Sequence, residues 1–365
     1  MKITFVLPTP GMSGGIRVAA IYAQLLQQRG HEVFVVAAPP RSPTLREQVR
    51  SLRQGKGWIR RPKRQPSHLD DLGVPYHLID RARPIGDRDV PDADVVISTW
   101  WETTEWVNAL SPARGRKVYF IQHYEMFDYL PKDRVAATYH LPLQKITIAQ
   151  WIADVIATEY GDRAVTVVPN AIDPKQFYAP SRDKQAVPTV GVMYSTATWK
   201  GCDISLKAVE LAQQQIPNLK LLAFAHETVS PNLPLPKNAE FFHRPSPSKL
   251  REIYAQCDGW LFGSRYEGFG LPILEAMACR TPVIGTPSGA APDLLQDGTG
   301  YLLQSHDPEE MAAAIAHLCN LSSEAWRSLS DRAYQKATCY TWEDATDLFE
   351  AALNNQSSGF SGSLN

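Results

Sequence analysis

Short apolar runs alternate along this chain with stretches of helical periodicity. Residues 3–7 form a continuous apolar run of the kind a parallel strand covered on both faces requires. Gly11, Gly14 and Gly15 then turn the chain. Apolar positions recur at helical spacing over 16–28 and stop at Gly30, and 32–38 reads as the next strand. Strands are also predicted at 94–98, 117–122 and 164–168, with an amphipathic helix over 147–160 closed by Gly161. Residues 174–188 are polar, contain proline and lack periodicity, which suits an interdomain linker. A second series follows, with strands at 190–193, 220–225, 239–242, 259–263, 282–286 and 300–303. Its helices fall at 203–215, 248–256, 272–278 and 308–318. Thr341 is placed to cap a last helix over 342–353, and the serine- and glycine-rich 354–365 reads as a frayed tail. The alternation predicts an α/β protein of two Rossmann-like, doubly wound parallel-sheet domains, 1–173 and 174–340.

Length agrees with that division, since 365 residues exceed what one core usually serves. A net charge of −1 argues against nucleic acid as the main partner. The five cysteines (202, 257, 279, 319 and 339) form no Cys-x-x-Cys pair and read as reduced, mostly buried thiols. No apolar run approaches the length of a membrane span, and 1–7 is too short for a signal-peptide core. A cytoplasmic protein is expected.

The densest chemistry lies in Glu267-Gly-Phe-Gly-Leu-Pro-Ile-Leu-Glu275. Pro272 suits the first position of a helix, where its missing N–H is no loss. The amides of Gly270, Leu271 and Ile273 would then point outward from the positive end of that helix, which holds phosphate well. Glu267 and Glu275 flank the spot and can accept hydrogen bonds from hydroxyls. Phosphate and hydroxyls together suit a nucleotide sugar.

This segment and its continuation to Ile284 resemble the glutamate–seven–glutamate motif of the retaining group 1 glycosyltransferases (glycosyltransferase family four). Gly14-Gly15, Gly30-His-Glu-Val33, Val168-Pro-Asn-Ala-Ile-Asp173, Lys200-Gly201, Ser288-Gly289 and Asp297-Gly-Thr-Gly300 carry the resemblance over most of the chain. It implies the GT-B architecture: an acceptor-side first domain and a nucleotide-sugar-binding second domain facing a cleft, with the last helix packing back on the first. It implies transfer of a hexose or deoxyhexose from a nucleotide-diphosphate sugar to a glycan, lipid-linked or small acceptor, as in polysaccharide or cell-envelope assembly. No cofactor and no bound metal are expected.

Roles follow residue by residue. Lys200 resembles the lysine aimed at the diphosphate, Glu275 the glutamate on the ribose hydroxyls, and Glu267 the one beside the transferred sugar. Gly268, Phe269, Gly270 and Leu271 complete the donor loop. Gly14 and Gly15 would bring backbone amides to the diphosphate. The backbone near Phe242–Arg244 would meet the base. His123, in Gln122-His-Tyr-Glu125 past a strand end, resembles a histidine facing acceptor and donor sugar. Tyr124, Glu125, Trp100, Trp101 and Glu102 stand at comparable strand ends and would line the acceptor side. Two positions depart from the family. Ser195 stands where relatives carry arginine, leaving Arg265 or Arg244 to compensate, and Arg280 stands where glycine is common. These departures keep a non-catalytic nucleotide-sugar-binding subunit open, beside a phosphorylase or epimerase on the same fold.

Asp87-Arg-Asp89 and Asp92-Ala-Asp94 resemble a metal–diphosphate motif of another glycosyltransferase fold but precede a strand instead of following one. Arg41, Arg46, Arg50, Arg53, Lys56, Arg60, Arg61, Lys63 and Arg64 face a single acid, Glu47, with Trp58 among them. This run reads as a solvated loop or as a patch for anionic membrane lipid.

Overall fold

The computed structural model of the protein describes residues 1–60, 66–70 and 73–354. The chain divides into two units. The first holds Met1–Ile148, Ile152–Val168 and the residues from Thr346 on; the second holds Ala149–Trp151 and Pro169–Ala345.

In the first unit β1 (Lys2–Leu7), β2 (Glu32–Ala37), β3 (Tyr76–Leu78), β4 (Val95–Ser98), β5 (Arg116–Ile121), β6 (Gln144–Thr147) and β7 (Val165–Val167) form one parallel sheet, ordered β3-β2-β1-β4-β5-β6-β7. The central strands are buried along nearly their whole length, which is why they read as continuous apolar runs rather than alternating ones. The buried hydroxyls among them bond to neighbouring strands: Ser98 Oγ donates to Val118 O (3.2 Å) and Thr147 Oγ1 to Ile121 O (3.0 Å). Helices α1 (Gly14–Gln28), α2 (Leu45–Arg53), α3 (Trp101–Ala109), α4 (Lys132–Tyr139) and α5 (Gln150–Tyr160) connect the strands.

In the second unit β8 (Thr189–Met193), β9 (Lys220–Ala225), β10 (Ala239–His243), β11 (Gly259–Phe262), β12 (Val283–Gly285) and β13 (Tyr301–Leu302) form a parallel sheet ordered β10-β9-β8-β11-β12-β13. Its helices are α6 (Cys202–Gln215), α7 (Pro247–Ala255), α8 (Leu271–Ala278), α9 (Ala291–Leu294), α10 (Pro308–Asn320) and α11 (Ser323–Thr338). Val190, Leu221, Leu261 and Ile284 from the strands pack against Val209 of α6 and Met311, Ile315 and Leu318 of α10. Each such fully buried side chain stabilises the unit by about 1.5–3 kcal/mol.

The last helix, α12 (Trp342–Asn354), begins at a capping box in which Thr341 Oγ1 and Asp344 bond reciprocally. Its Phe349 stacks on Tyr22 of α1 with ring centroids 4.3 Å apart and meets Phe120 of β5 edge-on. Arg29 pairs with Asp347 and Glu350 beside it.

Several local expectations are corrected. Gly14 and Gly15 do not form a turn; they open α1, capped by Ser13 Oγ accepting the Ile16 N–H. Thr147 closes β6 instead of starting a helix, so α5 begins at Gln150. The basic run is no loop over 45–53 but the helix α2, started by a Thr44–Glu47 capping box. Arg61, Lys63, Arg64 and the tail after 354 lie outside the described residues. Strands β3 and β6 and helices α3, α4 and α11 were not anticipated.

In each sheet the chain winds outward in both directions from a central pair, β1 and β4 in the first unit and β8 and β11 in the second. Ligands of open α/β sheets meet the carboxyl ends of strands at such a reversal.

Candidate functional site

In the second unit the loops leaving β8 and β11 meet at that reversal. After β8 the chain makes a single 3-10 turn, Thr198–Lys200, and enters α6 through Gly201, whose φ is +54°. A Cβ there would stand 1.8 Å from Gly263 O, so only glycine lets the two loops approach this closely. The approach is laced by backbone bonds: Arg265 N and Tyr266 N both donate to Trp199 O, at 2.8 and 3.2 Å.

Lys200 Nζ lies 2.7 Å from Glu267 Oε2, with the two side chains 25% and 15% exposed. Ser264 Oγ donates to the same carboxylate oxygen from 3.4 Å. Behind this pair the loop is fixed from below. Ala290 N donates to Phe269 O (2.8 Å) and Thr286 Oγ1 to Ser264 O (2.6 Å). Gly289 passes so close that a Cβ would meet Phe269 O at 2.7 Å. Trp151, a residue of the same unit, donates its indole N–H to Gly268 O at 2.9 Å.

Helix α8 starts at Leu271, with Pro272 second, not first, and Gly270 as its left-handed cap. The expectation of three outward amides is corrected to two. Ile273 N donates to Gly270 O (2.9 Å), while the Gly270 and Leu271 amides have no hydrogen-bond partner among the described residues. Amides left open at a helix start are of the kind that can receive an anion. One turn on, Glu275 is only 6% exposed and accepts the Tyr254 phenol O–H at 2.8 Å. The depression at these strand ends is lined by Met193, Lys200, Phe262, Gly263, Ser264 and Pro272.

The departures from the family also find their places. Ser195 Oγ accepts the Ala197 N–H (3.2 Å) and supplies no charge. Arg265 does not compensate: its guanidinium grips Asp203 in two bonds of 2.7 and 2.6 Å and donates to Thr198 O, bracing the Lys200 turn. Arg244, left-handed at φ +50°, donates Nε–H to His226 O at 3.0 Å and is exposed at the end of β10. Arg280 is engaged on α11. It tolerates its φ of +64° because its guanidinium pairs with Asp331 and stacks on Tyr334 at 3.7 Å, both on α11. Sequence reasoning missed the holding residues Tyr254, Ser264 and Asp203, and the exposed aromatics Trp199 and Tyr266 beside the pair. The aromatics carried a signal, since large apolar side chains directly flank both Lys200 and Glu267.

In the first unit Gly14 and Gly15 stand at the reversal between β1 and β4, and their amides have no partner among the described residues. Gln122 Nε2 donates to Gly15 O at 3.1 Å. His123, past β5, has Nδ1 2.9 Å from Tyr124 O and its ring against Phe127. Glu125 and Trp101 do not line an open face. Glu125 is 1% exposed and accepts the Trp101 N–H at 2.8 Å, and its own N–H donates to the Tyr139 phenol. Burial holds its carboxyl well above the usual carboxylate range. Tyr124 bonds to Glu159 and Tyr160, while Trp100 and Glu102 are partly exposed. Asp87 and Asp89 serve the backbone and Arg83: Asp87 accepts the Ser111 N–H, and Arg83 holds the Asp89 carboxyl down at about 2. Asp92 pairs with Arg114 and Asp94 accepts the Lys2 N–H. Among the described residues no three His, Cys, Asp or Glu side chains converge as a metal cluster would.

Two family models match end to end: Glycosyltransferase Family 4 over residues 12–176 and Glycosyl transferases group 1 over 176–336. A D-inositol 3-phosphate glycosyltransferase of Mycobacterium marinum is 33% identical over 122 residues, 33% of this chain and 26% of that protein. The O-antigen chain mannosyltransferase B of Escherichia coli is 35% identical over 99 residues, 27% of this chain and 25% of that one. The matched stretches thus span about a quarter of these relatives. Among solved structures, Anabaena Alr3699/HepE in complex with UDP and glucose superposes with a TM-score of 0.73 at 16% identity, over 97% of this chain and 99% of that one. Staphylococcus aureus TarM does so with 0.74 at 13% identity, over 97% and 100%. The likeness at this identity is one of fold, the GT-B fold of glycosyltransferases.

Proposed function

The chain belongs to the group 1 (family four) glycosyltransferases, and on that premise we propose that it is a retaining enzyme moving a hexose or deoxyhexose from a nucleotide-diphosphate sugar to a glycan, lipid-linked or small acceptor. The observation that carries the reading is the Lys200–Glu267 pair, fixed at the sheet reversal next to two α8 amides with no partner among the described residues. A diphosphate there would take its hydrogen bonds from Gly270 and Leu271 and draw the Lys200 ammonium onto its departing oxygen. Charge grows on that oxygen as the sugar leaves, so donors already aimed at it favour the transition state over the bound substrate. Released from Lys200, the Glu267 carboxylate faces the transferred sugar. Glu275, held by Tyr254, is left to receive the ribose hydroxyls, and the backbone at Phe242–Arg244 the base.

In the first unit the Gly14 and Gly15 amides are assigned to the donor diphosphate and His123 to the sugar and acceptor. Attack from the face of departure, with the donor phosphate taking the acceptor's proton, completes the path without a bound metal. A lipid-linked acceptor would bring the enzyme to a membrane surface in cell-envelope or polysaccharide assembly. Both structural neighbours are described in complex with UDP, which supports uridine diphosphate sugars as the first donors to try.

Calorimetry with UDP, GDP, dTDP and ADP, alone and as sugar conjugates, tests the reading. One nucleotide family should bind, and its sugar conjugate should be slowly hydrolysed or transferred. Donor turnover only with inorganic phosphate would mark a phosphorylase, and sugar inversion without transfer an epimerase. No binding by any of the four would end the proposal.

A further inference from the structure

Helix α2 presents itself to solvent in an unusual way. The side chains it buries are polar: Gln48 (5% exposed) and Ser51 (8%). Both clasp the segment that follows the helix. Gln48 Nε2 donates to Ile59 O and its Oε1 accepts the Ile59 N–H, each at 2.8 Å, while Ser51 Oγ donates to Gly57 O at 2.7 Å. Its apolar side chains point outward. Leu45, Val49 and Leu52, at spacing i, i+4, i+7 on one stripe, are 80%, 47% and 50% exposed. The clasped segment adds Trp58 at 64% and Ile59 at 38%.

Beside the apolar stripe runs a second one at the same spacing, Arg46, Arg50 and Arg53, and the segment after the helix adds exposed Lys56 and Arg60. Among the described residues none of these five cations is in an ion pair. The single acid, Glu47, is spent on the Thr44 cap and Arg41.

We propose that this face, α2 and the clasped segment through Arg60, docks on a bilayer of anionic phospholipid. An apolar stripe bordered by arginines is what insertion among charged headgroups asks of an interfacial helix. Charge complementarity selects the occupant, since anionic headgroups neutralise five cations that have no ion pair among the described residues. Gln48 and Ser51 keep the orientation: they hold the following segment along the polar edge of the helix and leave the apolar side chains outward. The proposal rests on the lipid-linked class of acceptor for its purpose, while its test needs no sugar chemistry.

The full chain is sedimented with vesicles of phosphatidylcholine alone or with added phosphatidylglycerol. It should bind only the anionic vesicles, less at high salt, with a blue shift in fluorescence that Trp58→Phe removes. Replacing Arg46, Arg50 and Arg53 by Gln should weaken binding roughly a hundredfold. Replacing Leu45, Val49 and Leu52 by Ser should weaken it about tenfold or more. Both variants should keep wild-type circular dichroism and donor binding. Absence of vesicle binding, equal binding to neutral vesicles, or unaltered binding by both variants would overturn the proposal. So would a concentration-dependent dimer that the serine variant dissolves, since the face would then belong to a second copy. Donor binding measured without lipid reports on the transferase reading separately, so either idea fails alone.

Discussion

At the reversal of the second sheet the charged side chains are already engaged: Lys200 by Glu267, Arg265 by Asp203, Glu275 by Tyr254. At the same place in the first sheet stand Gly14 and Gly15, offering backbone amides and nothing else. On the proposed reading, one topology supports two ways of meeting a substrate. Half-buried charges must be held in a fixed geometry, because an unpaired one would lose solvation without recovering it. Amides at a helix start are aimed by the backbone itself and need no partner. The second unit should therefore respond steeply to loss of single side chains, and the first to added bulk.

The pair at the centre of the second unit is the sharpest place to break that contrast. Lys200→Ala and Glu267→Ala should each lower kcat/KM by about 10²–10³-fold, the usual loss when one preorganised group at a developing charge is removed. Because both are proposed to act on the one sugar–diphosphate bond being broken, the double variant should be scarcely worse than the poorer single one. Losses that multiply would mean that the two groups act independently. Tyr254→Phe should be milder. It removes one hydrogen bond to the buried Glu275 carboxylate and should lower stability by roughly 1.5–3 kcal/mol, read by urea unfolding. It should also narrow the preference for a ribonucleoside diphosphate over its 2′-deoxy analogue, if Glu275 reads the ribose.

Gly15→Ala turns the comparison around. A Cβ at Gly15 would meet only the Gln122 side chain, no nearer than 3.6 Å. Alanine suits a helix better than glycine by up to about 1 kcal/mol. The variant should melt slightly higher yet, on the proposed reading, bind donor more weakly, because alanine adds bulk beside the α1 amides. Higher stability with unchanged donor affinity would make the glycine an ordinary helix opener.

Much of this was legible because the strands of a doubly covered parallel sheet must be apolar throughout, so β1, β9 and β11 stand out as runs. The glutamate pair and Lys200 were legible through their spacing and neighbours. What stayed hidden was what only tertiary contact decides. Strand β6 carries Lys145, 3% exposed, a residue no strand rule admits, and it is buried because Asp162 and Leu141 O receive its ammonium. Helix α11 buries Trp326, Leu329, Ala333 and Ala337 at helical spacing, a thin signal inside a polar stretch. The Thr44–Glu47 cap of α2 was readable as Thr-x-x-Glu, but the arginines around it pointed to a loop. Arg265 looked like a spare cation, and only the fold brings Asp203 to it.

Glu125 gives the smallest effect and a test of how the first unit treats a charge. It lies under the His123 loop, faced by the phenols of Tyr119 and Tyr139 and the Trp101 amide, with no cation among these partners. Burial raises its folded-state pKa, so the native chain keeps a proton there that the unfolded chain gives up near pH 4.3. Where the native state binds more protons than the unfolded state, stability falls as pH rises. The contribution is therefore fully present below about pH 4.3 and is lost progressively as pH climbs toward the raised value. Glutamine keeps an oxygen to accept the Trp101 N–H and carries no ionisable proton. Glu125→Gln should match wild type in thermal melts near pH 5 and exceed it by a few degrees near pH 9, the gap opening steadily between. A gap constant with pH would show that the carboxyl is solvated as an anion, and that the first unit, like the second, supplies a partner for its charge.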